Sequence, residues 1–126
     1  MKKLFLLAVL AVVGMSFTMQ TNTDGIVQAF KSGNAEQVAA YFDEYVDLKL
    51  LDKDEVKNMG RNQASIALKS FFSENGVKGF EKASERSIGN TMYMTGKMSS
   101  NGKDFNATIM MKQSGGKLQI ITIRIN

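Results

Sequence analysis

Apolar and polar positions follow a helical period in the first half of the chain and a strand period in the second half. Residues 24–32 carry apolar side chains at helical spacing, and Gly33 is a natural place for that helix to stop. Asn34 can cap a second short helix, because Gln37 stands three residues later as in a capping box. The apolar face of this second helix is predicted to consist of Ala35, Val38, Ala39 and Phe42.

Residues 45–51 alternate between apolar and polar side chains, which predicts a half-buried strand. Residues 52–54 predict a turn, and a short strand is expected near residues 55–59. The clearest helix covers residues 61–75 and ends at Asn75-Gly76, because its apolar residues lie at positions i, i+4, i+7 and i+8. Its predicted buried residues are Ala64, Leu68, Phe71 and Phe72.

Alternation with a period of two predicts four more strands, at residues 78–87, 91–99, 104–112 and 118–125. Turns containing glycine separate the strands, and no proline interrupts them. Three apolar sets are each expected to share one face of a strand: Met92, Met94 and Met98; Phe105, Ala107, Ile109 and Met111; and Ile121, Ile123 and Ile125. The order of elements predicts an α+β fold, in which a helical hairpin and one long helix pack on a curved, mostly antiparallel sheet.

The first twenty residues are typical of a cleavable secretory signal peptide, because Lys2-Lys3 precedes an apolar run of ten residues and small residues follow. A membrane anchor would need about 20 apolar residues, and the chain has no cysteine that could carry a lipid. We therefore predict a signal peptide over 1–20, cleaved after Ser16, Thr18 or Gln20, and one domain over 21–126. The mature protein is expected in the periplasm or outside the cell, without a stable membrane anchor.

The mature domain is close to neutral. The chain has 16 Lys and Arg and 12 Asp and Glu, and removal of Lys2 and Lys3 leaves 14 against 12. Because the basic residues are dispersed among acidic ones, we predict no nucleic-acid partner. No motif indicates a cofactor.

Several short segments, in this order, resemble a family of small secreted bacterial proteins classified as a domain of unknown function. The segments are Lys31-Ser32-Gly33-Asn34-Ala35, Tyr41-Phe42-Asp43, Arg61-x-Gln63-Ala64, Leu68-Lys69-x-Phe71-Phe72, Asn101-Gly102-Lys103, Gly115-Gly116-Lys117 and Arg124-Ile125. The resemblance implies the cone-shaped fold of nuclear transport factor 2, also called cystatin-like or SnoaL-like. It implies no activity, because this fold carries both enzymes and binding modules.

The last strands have apolar residues on both faces, which predicts an exposed patch. Met110 is expected on the face opposite Ile109 and Met111. Leu118 and Ile120 are expected on the face opposite Ile121, Ile123 and Ile125. Cones that the chain resembles often dimerise through the sheet. We therefore expect a homodimer through this sheet face.

Catalytic chemistry is restricted, because the chain has neither histidine nor cysteine. An aspartate in an apolar pocket could abstract a proton while a tyrosine polarises a carbonyl. The candidates are Asp47 with Tyr45 or Tyr93, which would make the protein an isomerase or hydro-lyase. The alternative is that Tyr45, Asp47 and Lys49 form the solvated face of their strand.

Met92, Met94 and Met98 are candidates for a Cu(I) site, because thioethers are soft ligands. Core packing is the alternative, because methionine fills irregular space well.

The favoured interpretation is a non-catalytic exported module that binds a small apolar ligand or an envelope protein. Its cavity would lie between the long helix and the concave sheet. The predicted lining, which could equally fill the cavity as core, is Phe30, Phe42, Leu68, Phe72, Met92 and Met94.

Overall fold

The computed structural model describes residues 23–126, in which three helices pack on one six-stranded sheet. The predicted signal peptide and its cleavage positions lie outside the described residues. The helices are α1 (Asp24–Lys31), α2 (Ala35–Ala39) and α3 (Arg61–Asn75). The strands are β1 (Phe42–Leu50), β2 (Val56–Gly60), β3 (Gly79–Ile88), β4 (Thr91–Ser99), β5 (Asp104–Ser114) and β6 (Lys117–Ile125). No helix within residues 23–126 is both long and apolar enough to cross a membrane.

The predicted α1–α2 hairpin is present, with Gly33 at the corner. Gly33 has φ +66°, and a side chain there would meet the carbonyl oxygen of Val77 at 2.6 Å. Asn34 caps α2, because its Oδ1 accepts hydrogen bonds from the N–H groups of Glu36 and Gln37. The reciprocal half of the capping box does not form, since the Gln37 side chain accepts from the Ser32 hydroxyl instead. The helix ends at Ala39, and Phe42 is the first residue of β1, not part of α2.

The sheet order is β2-β1-β6-β5-β4-β3, and β1 pairs with β6 in parallel. Three hairpins join β3, β4, β5 and β6, and these four strands are antiparallel. β1 and β2 are antiparallel as well. The mostly antiparallel sheet and the α+β class are therefore confirmed. The core lies between the concave face of this sheet and the three helices, with α3 packed mainly against β1 and β2.

A β-bulge in β6 overturns the predicted faces of that strand. Met110 pairs with Thr122 and Met111 with Ile120, so Ile121 is left without a partner. The extra residue reverses the alternation, because two residues of β6 lie opposite one residue of β5. As a result Leu118, Ile120, Ile123 and Ile125 all point into the core, and Ile121 lies half-buried apart from them.

Strand β3 has a second bulge where the sheet bends. Lys82 pairs with Gly96 and Ser84 with Thr95, which leaves Ala83 as the extra residue. The Phe80 ring lies across Gly96, since a Cβ on that glycine would be 2.4 Å from Phe80 Cζ. Bulges and glycines at such positions bend a sheet. The bend gives the sheet the concave face on which the helices pack.

Candidate functional site

The main candidate site is an apolar cleft between the β1–β2 hairpin and the second half of α3. Its volume is about 230 Å³. The floor and walls are apolar, and the rim is polar. The apolar lining consists of Leu48, Leu50, Val56, Met59, Ala67 and Phe71, and the rim consists of Lys53, Asp54, Ser70 and Glu74.

The inner wall of the cleft follows directly from strand alternation and helical spacing. Leu48 and Leu50 point to the concave face of β1, one on each side of the outward-facing Lys49. Ala67 and Phe71 are four residues apart on α3, so they lie on one face of that helix one turn apart. Phe71 also packs against the Phe105 ring, with a centroid distance of 5.9 Å, which closes the floor.

The outer wall is the segment 51–58, which several polar contacts hold in place. Leu51 has φ +55°, a conformation that is unfavourable for a bulky side chain. Its N–H donates to the carbonyl of Ile125 at 2.7 Å, and its own carbonyl accepts from Lys49 Nζ at 2.5 Å. Glu55 accepts from Arg124 Nε at 2.9 Å. These contacts fasten the loop to β6 through Ile125 and Arg124 and to β1 through Lys49, so the cleft is a pre-formed feature of the fold.

Asp47 completes this wall from the other side of the sheet. Its Oδ1 accepts a hydrogen bond from the N–H of Asn58 at 2.8 Å. Asn58 has φ +55° and lies in the irregular stretch of β2, where Val46 pairs with Met59 but Leu48 pairs with Val56. Asp47 therefore stabilises a bulge in β2 that turns the side chains of this strand toward the cleft.

A model of the domain of unknown function DUF4783 matches residues 23–126, which is all of the described structure. The chain belongs to the DUF4783 family. This membership confirms that the sequence resembles a family without an assigned function. No curated protein matches the chain.

Solved structures of other DUF4783 proteins have the same fold. The chain is 28% identical to one from Bacteroides fragilis YCH46, with a TM-score of 0.73 over 83% of this chain and 97% of that one. A second, from Bacteroides uniformis ATCC 8492, is 23% identical with a TM-score of 0.76 over 84% and 96% of the two chains. An NTF2-like protein of unknown function from Cytophaga hutchinsonii ATCC 33406 is 13% identical, with a TM-score of 0.54 over 81% and 82%. The expected nuclear-transport-factor-2-like cone is thus confirmed for this DUF4783 domain.

The predicted catalytic side chains do not meet in this DUF4783 structure. Asp47, Thr122, Met110 and Tyr93 follow one another across four neighbouring strands on the outer face of the sheet. With a strand spacing of about 4.8 Å, the backbones of Asp47 and Tyr93 are roughly 14 Å apart. Tyr45 shares the outer face with Asp47 and is 55% exposed. None of the three residues lines the cleft. Tyr45 and Asp47 lie with Lys49 on the outer face of β1, which is the alternative interpretation of that strand, and Tyr93 lies half-buried on β4.

The predicted cavity-lining side chains fill the core instead of forming the walls of an open cavity. Five of the six are at most 4% exposed and Met92 is 8% exposed. The Phe30 ring, for example, packs between Phe72 and Phe80 at centroid distances of 6.5 and 5.2 Å. The cleft lies further toward the β1–β2 edge and is lined by other residues. The six residues are Phe30, Phe42, Leu68, Phe72, Met92 and Met94.

Met92, Met94 and Met98 share the inner face of β4 as predicted, and all three are buried in the core. A strand rises by about 3.3 Å per residue, so Met92 and Met98 are roughly 20 Å apart. Three thioethers spread over that length cannot bind one Cu(I) ion. Each instead pairs with an apolar residue of β5, namely Met111, Ile109 and Phe105.

Val56, Met59 and the rim residues of the cleft are not among the site residues that the sequence predicts. One signal in the sequence was available. Val56 and Met59 are three residues apart in a predicted strand, and this spacing does not fit a period of two. Two apolar residues at this spacing indicate a bulge, which the structure shows at this point.

Proposed function

We propose that this DUF4783 protein is an exported, non-catalytic binding module that holds a small, mainly apolar ligand in the cleft of the β1–β2 hairpin and α3. The pre-formed apolar cleft is the observation that carries the proposal. Small-molecule sites in proteins are concave, mostly apolar and bordered by a few polar groups. An engineered cavity of about 150 Å³ takes up benzene, so a cleft of about 230 Å³ has room for roughly nine carbon atoms.

The enzyme alternative receives no support from the site. Asp47, Tyr45 and Tyr93 are on the outer face, and the Asp47 carboxylate is engaged by a backbone N–H. The residues that line the cleft include neither a tyrosine nor a histidine. A binding role is the simpler interpretation of an apolar pocket with solvated charges at its rim.

The test is an NMR titration of protein labelled with ¹³C at the methionine methyl groups, with 1-octanol as the probe. Met59 lines the cleft, whereas Met110 is half-buried on the opposite face of the sheet. We expect the Met59 methyl signal to shift in a saturable manner and the Met110 signal to stay. A linear shift of both signals, or no shift of Met59 up to the solubility limit of octanol, would overturn the proposal.

A matched pair of variants on α3 assigns the binding to the cleft. Ala67→Phe places a ring inside the cleft and should abolish the Met59 shift. Ile66→Phe adds a ring to a neighbouring side chain that is 68% exposed and does not line the cleft, so binding should persist. Equal effects of the two variants would argue for binding elsewhere on the surface.

We further propose that two copies associate through the outer face of the sheet. With the β6 bulge, the apolar side chains on this face include the half-buried Tyr93, Met110 and Ile121 and the exposed Tyr45 and Ile88. Tyr93 and Met110 are paired on neighbouring strands, so their side chains lie next to each other on this face. Light scattering should give twice the mass of one mature chain, and Met110→Lys should halve it. A single-chain mass for the unsubstituted protein at micromolar concentration would end the proposal.

Export is tested on the protein from its own cells. We expect it in the periplasmic or extracellular fraction, beginning at residue 17, 19 or 21. An intact mass that includes Met1 or Lys2 would contradict cleavage of the signal peptide.

A further inference from the structure

The cleft is the strongest unassigned feature of the molecule, and its rim carries a charge pattern that the apolar lining does not explain. Asp54 belongs to the outer wall, and Glu74 belongs to the last turn of α3. Within residues 23–126, the ion pairs are Lys69–Glu36, Lys82–Glu85, Lys112–Asp43 and Arg124–Glu55. Neither rim carboxylate is in that set.

The position of Glu74 adds an independent argument. The carboxyl end of a helix carries a partial negative charge, so basic residues are favoured in its last turn and acidic ones are disfavoured. The last turn of α3 contains Glu74 and no basic residue. The mouth of the cleft therefore has an acidic side chain at the carboxyl end of a helix, in a turn that contains no basic side chain.

We infer that the ligand is an amphipathic cation, with an apolar body of up to about nine carbon atoms in the cleft and an ammonium group at the rim between Asp54 and Glu74. This inference rests on the proposed function of the cleft. The apolar lining buries the hydrocarbon. The two carboxylates and the end of α3 attract the positive charge. The single positive charge of Lys53 opposes this attraction only in part.

Lys53 is the one basic group in the lining. Its N–H donates to the carbonyl of Leu50, so its backbone is fixed in the turn that follows β1. Its side chain is exposed. The rim therefore keeps a net negative charge with Lys53 included, and Glu55 does not change it because Arg124 neutralises that carboxylate.

The experiment compares three probes of equal chain length, octylammonium, octanoate and 1-octanol, by the shift of the Met59 methyl signal at low salt. Two unit charges about 4 Å apart in water interact by about 1 kcal/mol. Because the rim attracts octylammonium and repels octanoate by about this amount, we expect octylammonium to bind roughly thirtyfold more tightly than octanoate, with octanol between them. The preference should shrink at 0.5 M NaCl, because salt screens charges at the surface.

The double variant Asp54→Asn/Glu74→Gln leaves Lys53 as the only charged group of the rim, so it should abolish the preference for octylammonium over octanoate. Glu81→Gln is the matched control, because Glu81 is exposed on β3 at the opposite edge of the sheet. Equal affinities for the two ions in the unsubstituted protein, or a preference that survives the double variant, would overturn the charge assignment. Binding of octanol in either case would leave the proposed function standing, whereas failure of octanol would remove the function itself.

Discussion

The carboxylate of Asp47 accepts a hydrogen bond from the backbone N–H of Asn58 at 2.8 Å. The acceptor is on the outer face of β1, and the donor is in the bulge of β2 whose neighbours, Val56 and Met59, line the cleft. A side chain on one face of the sheet thus determines the shape of a site on the other face. The residue that the sequence suggested as a catalytic base has a structural role at this position.

We expect Asp47→Ala to lower the free energy of unfolding by about 1 kcal/mol, which is typical for the loss of one hydrogen bond. The variant should also weaken octanol binding, because the outer wall of the cleft loses its support. Asp47→Asn keeps an oxygen acceptor and should retain most of the stability. Urea unfolding and the Met59 titration measure the two effects. If both variants were as stable as the unsubstituted protein, the assigned role of Asp47 would be wrong.

The bend of the sheet at Gly96 should not tolerate a side chain. A Cβ there would lie 2.4 Å from Phe80 Cζ and 2.6 Å from the carbonyl oxygen of Glu81. Gly96→Ala should therefore destabilise the protein by about 2 kcal/mol, because neither the ring nor the neighbouring backbone can move freely. Gly79→Ala in β3 is the control, since its nearest contact would be an ordinary 3.5 Å. Thermal unfolding that fails to distinguish the two variants would speak against this packing.

The bulge in β6 predicts different effects for two adjacent isoleucines. Ile120 is fully buried on the core face, whereas Ile121 is the unpaired, half-buried residue. Ile120→Ala should cost about 3 kcal/mol, within the usual range for such a truncation. Ile121→Ala should cost less than about 1 kcal/mol. Simple alternation with Ile123 and Ile125 predicts the reverse order, so urea unfolding of the pair decides between the two registers.

Acid should weaken the contact between the start of α1 and β3. The hydroxyl of Thr23 donates to Glu85 Oε1 at 2.5 Å, and Lys82 lies 2.9 Å from the same oxygen. These contacts hold the pKa of Glu85 below its usual value. Because the folded pKa is the lower one, Glu85 adds stability above the unfolded pKa of about 4.3. That stability is lost as the pH falls through the folded pKa.

Glu85→Gln should accordingly make the fall in stability between about pH 5 and pH 3 less steep. Asp43, whose pKa is lowered mainly by its hydrogen bond to Lys112, contributes in the same direction and stays in place in this variant. Glu81→Gln on the same strand serves as the comparison. Identical pH profiles of unfolding for Glu85→Gln and the unsubstituted protein would show that the contact contributes nothing.

Local rules in the sequence were sufficient for most elements. The apolar spacing of α3, from Arg61 to Asn75, predicts its bounds correctly, because one face of that helix is buried along its whole length. The cap at Asn34 and the turns at Gly89-Asn90, Asn101-Gly102 and Gly115-Gly116 follow from residues that favour these conformations. Phe42 is the exception: an apolar residue just after a short helix fits either a helix or a strand, and it begins β1.

The candidate site, in contrast, depends on contacts between residues that are far apart in the chain. The bulge in the pairing of β6 with β5 decides on which face of the sheet Ile120 and Ile121 lie. One extra residue in a strand moves every side chain after it to the opposite face. The cleft exists because β1 pairs in parallel with β6 and because Asp47 and Arg124 fasten the segment 51–58. The sequence by itself determined the helices, the turns and the family of this protein, since these depend on local conformational preference and on residue order. Only the tertiary structure decided which side chains share a wall, because pairing and bulges are set by the packing of the whole sheet.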